Sequence, residues 1–184
     1  MPKSPAELYE TDFYAWTQEQ ASALRRLGEA VSRIDASEPP PYPKNRSAAL
    51  AAVVEAQQSA TEVDFARLVE EVEDLGKSER NALRSWTTQI LLHLLQLQYS
   101  HASGPRQSWI DEIIAFRTDV EARLTPSLRR DLEEQLPALF TRAHRRTVQK
   151  MTMHGEPDAA TRLPAECPYT LDQALGDWWP DMGA

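Results

Sequence analysis

Apolar residues near the start of the chain follow a helical rhythm. Tyr9, Phe13, Trp16, Leu24, Leu27 and Val31, with Gln20 as the one polar member, recur at spacings of three and four. That stripe covers one helix face and predicts a helix from about Leu8 to Ile34. Pro39, Pro40, Pro41 and Pro43 then exclude helix and favour a stiff extended spacer. Ser47 is placed to cap a short Ala-rich helix over Ala48–Ser59. Asp64 is a suitable N-cap for the next helix. There Phe65, Leu68, Val69, Val72 and Leu75 share a face, and Gly76 stands where a terminating glycine belongs. From Asn81 to Tyr99 the pattern changes. Ile90, Leu91, Leu92, His93, Leu94 and Leu95 leave almost no polar face, which marks a helix buried on every side.

Beyond the loop Ser100–Pro105, Ser108 is placed to cap a helix carrying Trp109, Ile110, Ile113, Ile114, Phe116, Val120 and Leu124. Another begins near Ser127 with Leu128, Leu132, Leu136, Leu139, Phe140 and Val148; Pro137 inside it should kink or split it. The stretch after His154 is broken by prolines and glycines. Thr170–Gln173 reads as a capping box, and Trp178 and Trp179 as aromatic anchors that dock the tail. No run alternates as a half-buried strand must. The expectation is an all-α fold, a single-domain bundle of five to seven helices around the buried Asn81–Tyr99 helix.

Composition narrows the setting. At 184 residues the chain can bury a core without staples, and its single cysteine allows neither an internal disulfide nor a Cys-rich zinc site. No apolar run approaches the ~20 residues of a membrane span. The polar start Met1-Pro2-Lys3-Ser4-Pro5 lacks the apolar segment of a signal peptide. A soluble cytoplasmic protein, with no membrane partner, is expected. The net charge is −8, with −7 of it in residues 1–79. Nucleic-acid binders show a basic footprint, so this balance argues against such a partner.

Four segments carry a resemblance. They are Leu8–Trp16 (LYETDFYAW), Leu68–Glu79 (LVEEVEDLGKSE), Leu91–Tyr99 (LLHLLQLQY), and Glu166–Leu171 (ECPYTL) with Trp179-Pro180 behind it. In this order, with Ser108-Trp109 between the last two, they resemble the bacterial family known as domain of unknown function 29. The resemblance implies an all-helical fold and no particular activity. Against the family pattern, the chain carries an insertion at about 28–61, and Gln96-Leu97 stand where the family has Lys-Trp. The implied organisation is one helical domain over residues 1–184, with the Pro-rich spacer and short helix inserted and a C-terminal tail docked from about residue 155.

The chemistry-bearing residues are few. Glu70, Glu73 and Asp74 share a helix face at i, i+3 and i+4. His93, inside its apolar run, needs a partner for its ring nitrogens. A carboxylate from the first or the acidic helix is expected, with Asp12, Glu70, Glu71, Glu73 and Asp74 as candidates. Burial should keep the ring neutral. No histidine follows a Glu by three residues and no His-x-x-x-His pair exists, so no metal site and no cofactor are expected. Cys167 lies just before a helix start, a position that can activate a thiol; a small buried side chain is the simpler role. Arg142, Arg145 and Arg146 form the basic cluster, suited to an anionic ligand or to pairing with the acidic helix. The leading function class is therefore a non-catalytic binding or interaction module, with a protein partner or a homodimer. The alternative is a hydrolase or metal-dependent enzyme centred on His93 and a carboxylate.

Overall fold

The computed structural model describes residues 3–32 and 63–181. Among them the fold is all-helical: α1 (Pro5–Thr11), α2 (Phe13–Ser32), α3 (Phe65–Tyr99), α4 (Arg106–Glu121), α5 (Pro126–Met153), α6 (Pro157–Ala160) and α7 (Leu171–Leu175). No described helix is long and apolar enough to cross a membrane. The chain divides into two compact units, Met1–Ser78 and Glu79–Ala184, and α3 contributes to both. The Pro39–Pro43 spacer and the expected Ala48–Ser59 helix lie outside the described residues.

In the N-terminal unit one expected helix is two. Ser4 and Glu7 form a capping box at the start of α1, the Glu7 N–H donating to Ser4 Oγ (3.2 Å) and the Ser4 N–H to Glu7 Oε2 (2.8 Å). α1 stops at Asp12, whose Oδ1 accepts from the Ala15 N–H (3.0 Å) and opens α2. Asp12, one of the candidate partners of His93, is thus a buried cap. Tyr9, Phe13 and Trp16 cluster across this joint with ring centroids 5.0–5.6 Å apart.

The second departure is at Gly76. The expected terminus is absent, and α3 runs unbroken through it from Phe65 to Tyr99. A mid-helix glycine costs only about 1 kcal/mol against alanine, and packing overrides that here. A Cβ on Gly76 would meet Thr17 Oγ1 at 2.3 Å, and one on Gly28 would meet the Phe65 Cβ at 3.0 Å. The two contacts are equally spaced along both helices and run in opposite chain directions, so α2 and the first half of α3 pack antiparallel. The missing side chains allow that approach. Gly76→Ala should therefore lower stability by about 1 kcal/mol despite alanine's better propensity. Adding Thr17→Ala removes the nearest clashing atom and should restore it. Urea denaturation of the single and double variants checks this; a double variant no better than Gly76→Ala would count against the contact.

In the C-terminal unit every side chain from Ile90 to Leu97 is buried, as an all-round apolar helix requires. Trp109, Ile113 and Val120 of α4 and Leu128, Leu132, Leu139, Phe140 and Met151 of α5 are buried in the same unit. Thr125 caps α5, with Pro126 at its first position. Pro137 does not split α5: it sits at an exposed position, where water can serve the carbonyl it frees. α4 begins at Arg106, two residues before the expected Ser108 cap. The Thr170–Gln173 capping box forms as read.

Candidate functional site

His93 is buried at 3% side-chain exposure, and its Nε2 lies 2.7 Å from Glu112 Oε2. The expected partners are not the ones used. Glu70, Glu71, Glu73 and Asp74 lie on the same helix as His93, and even Asp74 precedes it by 19 residues, about five turns. Because α3 does not turn back at Gly76, they cannot reach the ring. Glu73 instead accepts from Arg25 (2.7 Å), Asp74 pairs with Lys77 (2.9 Å), and Glu70 and Glu71 are exposed. The true hairpin is at Ser100–Pro105. His93 stands seven residues before that loop and Glu112 seven after it, so an antiparallel pair brings them level. That count was available in the sequence.

Neutral His93 donates from Nε2 to the carboxylate, which leaves Nδ1 as an acceptor. Nδ1 and Gln96 Oε1, one turn further along α3, are both buried with no other partner among the described residues, and the Gln96 side chain lies within hydrogen-bonding reach of the ring. Gln96 is only 4% exposed. Burial pushes the His93 pKa below its ordinary value. The Lys150 charge adds to this, while Glu112 and the Gln96 side chain oppose it.

Gln96 also lines a cavity of about 360 Å³. Trp109, Met151 and Pro105 supply apolar wall, and Lys150, His154 and Glu156 bring charge or polarity. Glu156 is already committed: its carboxylate accepts from the Ser100 hydroxyl (2.6 Å) and the His101 N–H (2.7 Å). Burial alone would raise its pKa, but these donors, with the Ala102 N–H, hold it below the usual carboxylate range. Lys150 forms no ion pair among the described residues. A second depression, of about 640 Å³ in the N-terminal unit, is larger, but its Arg25 and Glu73 neutralise each other.

The remaining candidates fall elsewhere. Arg142 and Arg145 are exposed, and Arg146 can donate to the Gln89 side-chain oxygen (2.9 Å). In the acidic stretch, Glu73 pairs with Arg25 and Asp74 with Lys77. Cys167 is half-buried, its S–H donates to the Tyr169 carbonyl (3.3 Å), and burial pushes its thiol pKa up, the opposite of activation. No three His, Cys, Asp or Glu side chains among the described residues are grouped to hold a metal.

Sequence reasoning missed Arg117. It lies four residues after Ile113 and three before Val120, on the buried stripe of α4, and a cation there needs partners. It donates to the carbonyls of Ala174 (3.0 Å), Gln173 (3.1 Å) and Trp178 (2.8 Å), and its guanidinium lies 4.8 Å from the Trp179 ring centroid. Nearby, the Tyr169 hydroxyl donates to Gln98 Oε1 (2.7 Å) and its ring meets that of Trp178.

The family model for Domain of unknown function DUF29 matches residues 49–179. The chain belongs to this family. The matched region contains the cavity, His93 and Glu112; it begins after Leu8–Trp16 and takes in part of the stretch read as an insertion. No curated protein matches the chain. Among solved structures, an alpha-helical protein of unknown function from Rhodospirillum rubrum ATCC 11170 is similar, with a TM-score of 0.66 and 20% identity over 96% of this chain and 92% of that one. Identity at that level establishes a shared fold and leaves function to the site.

Proposed function

We propose that this member of the DUF29 family is a non-catalytic binding module, cytoplasmic and bacterial, whose C-terminal unit holds its ligand in the cavity at Gln96 and Lys150. The observation that carries this is the cavity itself, which joins the apolar Trp109 and Met151 to Lys150, a cation with no ion pair among the described residues. The volume falls within the ~300–1,000 Å³ range of small-ligand pockets. His93 supports binding over catalysis. A general acid or base needs a ring nitrogen within reach of the substrate. Here Nε2 is engaged by Glu112 and Nδ1 is buried.

An NMR fragment screen on the full chain tests this reading. Binding fragments should shift the Trp109 indole N–H together with the Ala102 amide and Met151 methyl signals. A chemically diverse set that leaves all three unmoved would refute it.

A further inference from the structure

The N-terminal unit leaves an apolar face exposed. Across one flank of the α2–α3 contact, Arg25 pairs with Glu73 (2.7 Å). At about 100° per residue, Trp16 and Leu27 lie roughly half a turn round α2 from Arg25, and Leu68 and Leu75 roughly half a turn round α3 from Glu73. All four therefore share the other flank. Leu27, Leu68 and Leu75 are 51%, 42% and 54% exposed there. Single exposed leucines are ordinary, but three grouped with a half-buried tryptophan mark a contact surface.

The charges beside this face are placed for a copy of itself. Glu19 and Arg26 stand seven residues apart along the outer edge of α2, and Arg67 and Asp74 seven apart along that of α3. Glu19, Arg26 and Arg67 are exposed and make no ion pair among the described residues, and Asp74 holds only its own Lys77 (2.9 Å). The midpoint of Glu19 and Arg26 is also that of Thr17 and Gly28; the midpoint of Arg67 and Asp74 is also that of Phe65 and Gly76. The Thr17–Gly76 and Gly28–Phe65 contacts hold those two midpoints level. One two-fold axis through them sets Glu19 against Arg26, and Arg67 against Asp74, of a second copy. The same axis brings Leu27 and Leu68 of one copy level with Leu75 and Trp16 of the other, because Leu27 and Leu75 lie equally far from the midpoints at opposite ends.

We propose that two copies of this chain pair through this face, α2 against α2 and α3 against α3, as an antiparallel four-helix bundle with two-fold symmetry. The seven-residue spacing keeps each charged edge beside a coiled-coil seam. A purely acidic or purely basic partner would leave one member of each charge pair unmet. The pairing does not depend on what the cavity in the C-terminal unit holds.

Sedimentation equilibrium of the full chain tests it. The unmodified protein should approach the mass of two copies as concentration rises. Leu27→Asp combined with Leu75→Asp should leave it monomeric with an unchanged circular dichroism spectrum, since both positions are exposed in one copy. Arg26→Glu and Glu19→Arg should each weaken self-association about tenfold, because the two-fold applies every reversal twice. Mixed together, these two variants should pair with each other and recover the affinity of the unmodified protein. Glu71 lies beside the axis, near its counterpart in the second copy, so Glu71→Gln should tighten the dimer. A monomer at every concentration would overturn the proposal. So would a dimer that survives the leucine substitutions, or charge variants that do not recover on mixing. A monomer destabilised by the leucine substitutions would show that the face is covered within one copy, and would overturn it as well.

Discussion

Arg117→Ala should detach the C-terminal segment and lower stability by about 3 kcal/mol. Three carbonyl oxygens, those of Gln173, Ala174 and Trp178, lose their donor at once, and Trp179 loses the guanidinium beside it. Two of those carbonyls belong to the end of α7, where no intrahelical donor is available, so Arg117 caps that helix from outside. Hydrogen bonds to a charged donor are each worth about 1.5–3 kcal/mol, and partial exposure of the segment lets water recover some of that. Arg117→Lys should restore only part of the loss, because an ammonium cannot span three acceptors as the planar fork does. Hydrogen exchange gives the decisive readout. Amides of Leu171–Leu175 should lose protection in Arg117→Ala while those of Leu91–Leu95 keep theirs. Unchanged protection over Leu171–Leu175 would mean that Tyr169 and the tryptophans hold the segment without the arginine.

The helical class was legible because periodicity and caps act locally. Asp64 caps α3 through the Arg67 N–H (2.9 Å), and the Thr170–Gln173 box forms. The break at Asp12 and the continuity through Gly76 were not legible. Each depends on whether packing outweighs a preference of about 1 kcal/mol, and a single-residue signal cannot report that. The Gly76 misreading then carried over to the site. A turn at Gly76 would have folded the acidic helix back beside His93; a continuous helix hands that role to α4 across Ser100–Pro105. The convergence of Lys150 on Gln96 was harder still, since it depends on how α5 returns to α3, and no spacing within either helix encodes it.

The His93–Glu112 pair should make stability depend on pH in a direction fixed by burial. The folded-state pKa of His93 lies below its ordinary value because burial penalises the imidazolium and Lys150 repels it, against the pull of Glu112 and Gln96. With the unfolded value near 6.5, the unfolded chain binds the proton first as pH falls. The contribution of neutral His93 is therefore fully present above about pH 6.5 and is lost as pH drops toward the folded value. His93→Leu should remove that loss. At pH 8 it should cost no more than about 1 kcal/mol or even stabilise, since an apolar side chain of similar volume leaves no ring nitrogen unbonded. Glu112→Ala should do the reverse. It strands the Nε2–H in an apolar setting, at about 1–3 kcal/mol less whatever water recovers through the 48% exposure at that position. It should also move the ring titration lower still. The double variant should return close to His93→Leu alone, because apart from the ring the carboxylate accepts only a long bond from the exposed Ser108 hydroxyl (3.4 Å). Ring titration by NMR, with urea denaturation at pH 5 and 8, checks each step, and a histidine midpoint above about 7 would show that the carboxylate outweighs burial.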